Sequence, residues 1–236
     1  MTNRIAVVIV ALVVGSALFL GAISIEHALR PAHPGGLSGT VVATNATIHV
    51  DRVGRPTAVG QVVNGLDTPI DNVTVSVTFT GWPGGPATVT DRAILPAIPP
   101  GGRSPFVVRL QNETARPTGL SLHVDYSTGG TKPYEGLTVV NSRITEENSM
   151  QYAIAGQVKN HGGQPVTTLV AVTFFDRNGS VVGARTGTTS PQVLTRGSTG
   201  AFQIQYRTVG DTPSRAADVV RYEVVAWGEP ANQSTG

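Results

Sequence analysis

Cysteine is absent from the chain, which removes disulfide frameworks, thiolate metal sites and cysteine nucleophiles together. Charge is scarce as well. Charged residues make up 14% of the sequence, and 17 Lys and Arg against 15 Asp and Glu leave a formal net charge of +2. An excess this small and scattered does not attract a phosphate backbone, so nucleic acid is not an expected partner. Reaction-centre motifs are missing too. There is no Gly-x-Ser-x-Gly elbow, no P-loop, and no Gly-x-Gly-x-x-Gly following a strand. The five histidines, His27, His33, His49, His123 and His161, do not supply the three or four convergent donors that a metal site needs. Glu146 and Glu147 are adjacent, and neighbours in a strand point apart instead of sharing a substrate. Asp176-x-Asn178-Gly179 resembles part of a calcium loop, but its twelfth position is Gly187 where an acidic ligand is required. No catalytic, cofactor-binding or metal-binding residue is assigned, no cofactor is expected, and the chain is not read as an enzyme.

What the sequence does contain is Gly and Pro, 28 and 16 of 236 residues. That balance suits short strands joined by tight turns better than long helices. It also contains a repeat. Gly60-Gln61-Val62-Val63-Asn64 returns 96 positions later as Gly156-Gln157-Val158-Lys159-Asn160. The copies open at Thr40-Val41-Val42 and Thr138-Val139-Val140, and Phe106 and Phe202 keep the same spacing. Two units of roughly 90 residues follow, each large enough to bury a core.

Within the copies, Val73, Val75, Val77 and Phe79 alternate with polar residues, the period of a half-buried strand. In the second copy Val170, Val172 and Phe174 alternate likewise, while Phe175 falls on the opposite face, so either face could be the one in the core. Asp176-Arg177-Asn178-Gly179 reads as a hairpin turn using left-handed backbone. Gly81-Trp82-Pro83-Gly84-Gly85-Pro86 stands there in the first copy and reads as a protruding loop. Leu120–Tyr126 and Val219–Trp227 supply a last strand to each unit. The expected fold is all-β: two tandem immunoglobulin-like antiparallel sandwiches.

An apolar run without charge, Ile5 to Ile25, precedes them. As a helix it would span a bilayer core of roughly 30 Å. A cleavable signal peptide is the competing reading, with Arg4 as its positive region and Ala22-Ile23-Ser24 as its cleavage site. Length favours the anchor. Asn-x-Ser/Thr triplets begin at Asn45, Asn72, Asn112, Asn178 and Asn232 and suit an exported body. The expected division is an anchor over 1–25, a Pro/Gly spacer over 26–39, sandwiches over 40–128 and 138–228, a linker over 129–137 and a disordered tail over 229–236.

The Gly-Gln-Val-Lys-Asn strand, the strand ending Phe174-Phe175-Asp176, the Asn178-Gly179 turn into Val181-Val182 and the Gly-rich turn before Phe202 together resemble the FxLYD-type domain. In the first copy Pro100-Gly101-Gly102-Arg103-Ser104-Pro105-Phe106 is similar to that family's turn before its penultimate strand. The resemblance covers most of 138–228 and, more loosely, 40–128. It implies a small β-sandwich of exported or membrane-anchored prokaryotic proteins, and it carries over no catalytic residue.

The functional expectation is a single-pass protein in the cell membrane with its body outside the cytoplasm, or a secreted one if the first segment is cleaved. It would act as a binding, spacer or envelope-interaction module; the alternative is an accessory subunit or secreted factor of an enzyme or transport assembly. Its expected partners are the lipid bilayer and other envelope or membrane proteins. The repeated Asn64 and Asn160 read first as strand-end residues whose side chains bond the backbone of the following turn. The alternative makes them, with Trp82 in its exposed loop, the candidate interaction residues.

Overall fold

A computed structural model describes residues 7–9, 39–50, 55–111, 116–130, 132–147, 151–207 and 219–231. Every regular element in it is a strand, and every strand pairing is antiparallel. After β1 (Val7–Ile9) come β2 (Val41–Val50), β3 (Pro56–Asn64), β4 (Ile70–Thr80), β5 (Ala87–Arg92), β6 (Ala97–Ile98), β7 (Arg103–Arg109) and β8 (Gly119–Thr128). The second series is β9 (Leu137–Glu147), β10 (Gln151–Asn160), β11 (Val166–Phe175), β12 (Val181–Gly187), β13 (Val193–Leu194), β14 (Thr199–Arg207) and β15 (Arg221–Pro230). One sheet has the order β2-β3-β7, and it faces β1-β8-β4-β5 with β6 also on β4. In the second series β14-β10-β9 faces β12-β11-β15, with β13 also on β11.

Each pair of sheets closes on its own core. In the first, Val75, Val77 and Phe79 meet Ala58, Val62 and Phe106. In the second, Val170, Val172 and Phe174 meet Ile154, Val158, Phe202 and Tyr206. The alternation read along β4 is realised, with Val73, Val75, Val77 and Phe79 all buried. The architecture is therefore an antiparallel β-sandwich, seen twice.

The repeat has a physical basis in cross-strand pairing. Gly60 lies opposite Phe106, and Gly156 lies opposite Phe202. A Cβ on Gly60 would stand 2.5 Å from the Phe106 ring, and one on Gly156 would stand 2.7 Å from that of Phe202. Each ring fills the space its glycine leaves, so the two positions are fixed together. A further pair at the same spacing, Asn45 and Asn141, takes left-handed φ of 53° and 55° on β2 and β9. Register shifts interrupt both ladders beside them. The bulge here puts one residue in the left-handed region, which Asn tolerates better than most side chains.

The sandwiches are not independent beads. The outer face of β2-β3-β7 packs against the outer face of β12-β11-β15, giving four layers with two outer sheets and two inner ones. Val59 and Val107 meet Phe175 and Val181 there, and Leu95 and Ile94 meet Ala171, Leu169, Val225 and Trp227. This resolves which face of β11 is in a core: Phe174 fills the second sandwich and Phe175 the seam. All nine residues of β3 are buried, because the strand has protein on both sides.

The corresponding faces elsewhere are polar. Where β11 presents Leu169, Ala171 and Thr173 to the seam, β4 presents Thr74, Ser76 and Thr78 outward, and Ser76 and Thr78 bond Thr90 and Thr88 of β5. Where β3 presents Val59, Gln61 and Val63, β10 presents Ala155, Gln157 and Lys159. Apolar surface lies on one face of each unit, so the stack ends at four layers.

Three expectations need adjustment. Gly179 alone of the Asn178-Gly179 pair has positive φ, 79°, because the loop is longer than a two-residue hairpin and Asp176 Oδ1 accepts from the amides of Asn178 and Ser180. Glu229 and Pro230 belong to β15, opposite Thr167 and Val166, and not to a tail. The anchor over 1–25 lies outside the described residues apart from Val7–Ile9, which pair with Leu122–Val124 of β8. The spacer lies outside them up to residue 38, as does the tail from residue 232. Among the described residues no helix is long and apolar enough to cross a membrane.

Candidate functional site

Asn64 and Asn160 end β3 and β10 inside the protein, each at 0% exposure. Asn64 Nδ2 donates to the carbonyls of Thr68, Ile98 and Pro99 at 2.9, 3.0 and 3.1 Å, and its Oδ1 accepts from the Leu66 amide at 3.0 Å. Asn160 Nδ2 donates to the carbonyls of Gln164 and Leu194, both at 2.9 Å. Its Oδ1 accepts from the Gly162 amide at 2.9 Å and the Tyr134 hydroxyl at 2.8 Å. Strand-end asparagines satisfy otherwise orphaned turn carbonyls in this way. Both side chains are spent on turn backbone, as the strand-end reading expects, and the interaction alternative has no exposed atom to use.

Trp82 is half-buried, not exposed, and packs against the edge of the first core. Its carbonyl accepts from the Gly85 amide at 3.2 Å, and its indole lies over Gly84, where a Cβ would come within 2.5 Å of Nε1. The loop folds back on its own aromatic residue. Trp82, Asn64 and Asn160 do not converge on one site.

The histidine and acidic candidates remain scattered. His123 Nε2 lies 3.3 Å from Asp125 Oδ1, and His49 Nε2 shares a 2.7 Å hydrogen bond with Thr47. His27 and His33 lie outside the described residues, as do the triplets at Asn112 and Asn232. Asn45, Asn72 and Asn178 are exposed. Among the described residues no group of three or more His, Asp or Glu side chains could hold a metal ion.

A further polar assembly lies in the seam, which sequence reading missed. Gln61 Nε2 donates to Glu223 Oε2 at 3.1 Å and reaches Thr173 Oγ1 at 3.5 Å. Glu223 Oε1 accepts from Arg221 at 2.7 Å and from Arg103 at 3.4 Å. Arg221 lies 3.9 Å above the Phe175 ring centroid, a cation–π contact that also covers the seam's aromatic edge. Thr47 adds a hydrogen bond from β2 to the Val181 carbonyl. Its repeat partner shows what the seam changes: Gln61 is 2% exposed, whereas Gln157 is exposed. The signal was available in Ala58-Val59-Gly60-Gln61-Val62-Val63, where Val59 and Val63 put apolar side chains on the face opposite Ala58 and Val62.

Among the described residues two titratable groups are perturbed. Arg185 lies over the Tyr206 ring at 5.3 Å and donates to the Ala184 carbonyl. Loss of hydration lowers its guanidinium pKa, Tyr206 opposes that shift, and Arg109 across the seam adds to it. Burial pushes the Tyr152 phenol up to about 12, with the charges of Glu147 and Tyr222 adding to the shift. Both groups support packing, and among the described residues neither faces a nucleophile or an oxyanion-stabilising set.

No family model matches the chain, and no curated protein matches it. Solved structures with which it shares likeness include a β-glucuronidase from glycoside hydrolase family 2, with 8% identity over 80% of this chain and 24% of that one at a TM-score of 0.28. Red sea bream transglutaminase gives 8%, 79%, 29% and 0.25. Bacteroides uniformis β-glucuronidase 2 gives 14%, 77%, 25% and 0.25. The chain spans about a quarter of the length of those proteins. Likeness at this level transfers neither activity nor substrate.

Proposed function

We propose that the chain is a membrane-anchored, extracytoplasmic pair of immunoglobulin-like sandwiches that serves as a non-catalytic binding or spacer module in the cell envelope. The observation that supports this reading is the seam. It joins the two units through apolar side chains and the Gln61–Glu223–Arg103 assembly, so the pair holds its geometry as a scaffold for binding surfaces should. The FxLYD-type resemblance of the second copy agrees with such a role, and the apolar Ile5–Ile25 run supplies the anchor. In this reading Val7–Ile9 enter the bilayer instead of pairing with β8.

Protease treatment of intact cells tests the reading. Cleavage of the C-terminal region, together with retention of the N-terminal fragment in the membrane fraction, is the expected result. A protected C-terminal region in intact cells would sink the extracytoplasmic placement, and a body released without detergent would sink the anchor.

A further inference from the structure

The chain holds two Asn-Gly pairs, Asn64-Gly65 and Asn178-Gly179. An asparagine before glycine is the most open to attack by the next backbone nitrogen on its own side chain, because glycine has no Cβ to crowd the approach. The structure treats the two pairs in opposite ways. Asn64 is 0% exposed, its amide is spent on the carbonyls of Thr68, Ile98 and Pro99, and the Gly65 amide donates to the Thr40 carbonyl at 2.8 Å. Asn178 is exposed at the tip of the hairpin between β11 and β12, followed by Gly179 at φ 79°. One pair is locked and the other stands in solvent.

The bonds around Asn178 are local. The Gly179 amide donates to the Asp176 carbonyl at 3.0 Å, the Asp176 amide donates to the Ser180 carbonyl at 3.0 Å, and Asp176 Oδ1 accepts from the amides of Asn178 and Ser180, both at 2.9 Å. Bonds in an exposed turn open far more often than those of a core strand, so the Gly179 nitrogen is released without unfolding the sandwich. What the turn carries is not local. The strands meet immediately beyond it at Phe175 and Val181, which form the seam with Val59 and Val107 of the first unit. The Val181 carbonyl accepts from Thr47, and the Phe175 carbonyl accepts from the Val220 amide at 2.9 Å.

We infer that Asn178 is a self-modification site, which converts to isoaspartate and aspartate in the folded protein, and that the isoaspartate form loosens the seam. The Gly179 nitrogen gives its proton to water and bonds to Asn178 Cγ, and the Cγ–Nδ2 bond breaks with loss of ammonia. Water then opens the cyclic imide at either carbonyl. Opening at Cγ restores the ordinary backbone and leaves aspartate, whereas opening at the main-chain carbonyl routes the chain through Cβ and Cγ and leaves isoaspartate. Water is the sole co-reactant. Isoaspartate lengthens the main chain between the two amides that Asp176 Oδ1 holds and sets a second carboxylate beside that of Asp176. The turn's bonds then cannot all re-form, and Phe175 and Val181 lose their fixed register. The chemistry is independent of where the body sits relative to the membrane.

The test uses the full chain in mild detergent, made in a bacterial host without N-glycosylation machinery and incubated in mildly alkaline buffer enriched in heavy-oxygen water. Ring opening then installs heavy oxygen, which separates conversion during incubation from conversion during digestion. Peptide mapping by mass spectrometry should show labelling at Asn178 at least about tenfold faster than at Asn64 in the folded chain, with the difference disappearing in denaturant. Equal rates in the folded chain would overturn the inference. So would an unlabelled Asn178 in the folded chain while a free peptide of residues 174–183 is labelled, since the turn would then hold Gly179 shut. The isoaspartate form, isolated by ion exchange and identified by isoaspartate-specific methyl transfer, should exchange the Val220 amide about tenfold faster than the parent. Asn178→Asp carries the charge on an ordinary backbone and should exchange within about twofold of the parent. Parent-like exchange in the isoaspartate form, or equal acceleration in Asn178→Asp, would overturn the link between the modified backbone and the seam.

Discussion

Phe174 and Phe175 are neighbours in sequence and belong to different interiors: Phe174 stacks on Tyr206 in the second sandwich, and Phe175 meets Val59 of the first. Both are 0% exposed. Truncating either to Ala should cost about 3–5 kcal/mol in the packing it leaves, but the two losses should read out differently. Phe174→Ala should lower the melting temperature of the second sandwich. Phe175→Ala should separate the units, raising the radius of gyration in small-angle scattering while each sandwich keeps its strand content. Unchanged scattering for Phe175→Ala would mean that the seam does not hold the pair together.

Gly60 and Phe106 give a second case in which a pair, not a residue, is the unit. Gly60→Ala places a methyl 2.5 Å from the ring, where something must shift. A destabilisation of about 1–3 kcal/mol is expected from overpacking. Adding Phe106→Leu should recover part of it, as residues in contact are non-additive. Chemical denaturation of the two single variants and the double variant measures the coupling, and strict additivity would contradict the paired role.

This pairing also explains how much was readable beforehand. The strands, the repeat spacing and the alternation of β4 depend on local pattern, and those were legible. The seam was not, because it needs two distant outer faces to be matched, and a single amphipathic strand does not name its second neighbour. The Phe174-Phe175 doublet and the apolar residues on both faces of β3 carried the signal of burial on both sides. For Asn64 and Asn160 the turn role was legible as one reading, and the buried carbonyls of Ile98 and Leu194, 34 residues away, were not. A protruding loop implies an exposed Trp82, yet the indole folds back over Gly84 onto the edge of the core.

Thr57 sits on the seam side of β3 at 1% exposure, and its hydroxyl has no hydrogen-bond partner among the described residues. A buried donor left unpaired costs about 1–3 kcal/mol. Thr57→Val removes the hydroxyl and keeps the branched shape, so it should raise stability by about 1 kcal/mol, against the usual direction of mutation. Thermal unfolding checks this, and a lowered midpoint would show that the hydroxyl is satisfied.

Asn160→Ala should be costlier than the loss of one hydrogen bond. It takes a donor from the carbonyls of Gln164 and Leu194 and removes the nearer acceptor of the Tyr134 hydroxyl, which is left with the Gln164 carbonyl at 3.3 Å to fasten the segment entering β9. A loss of about 3 kcal/mol or more is expected, with faster hydrogen exchange around Gly162 and easier proteolysis near Tyr134. Asn160→Asp should not rescue it, because a carboxylate oxygen would face carbonyl oxygens. Rescue by Asp, or exchange rates equal to wild type near Tyr134, would separate the Asn from its turn.

Tyr152 sets an alkaline limit. Its phenol is raised from 10.0 to about 12 by burial first and by Glu147 and Tyr222 next. Below pH 10 both folded and unfolded chains keep the proton, and the stability tied to this group is fully present. Between pH 10 and about pH 12 the unfolded chain loses its proton while the folded one retains it, so unfolding is favoured as pH rises. Tyr152→Phe removes the ionisation and preserves the edge-on contact with Phe174, whose ring centroid lies 6.0 Å away. Denaturant midpoints for the wild type should therefore fall more steeply than those of Tyr152→Phe across this window. Parallel slopes would show that other groups govern the alkaline transition.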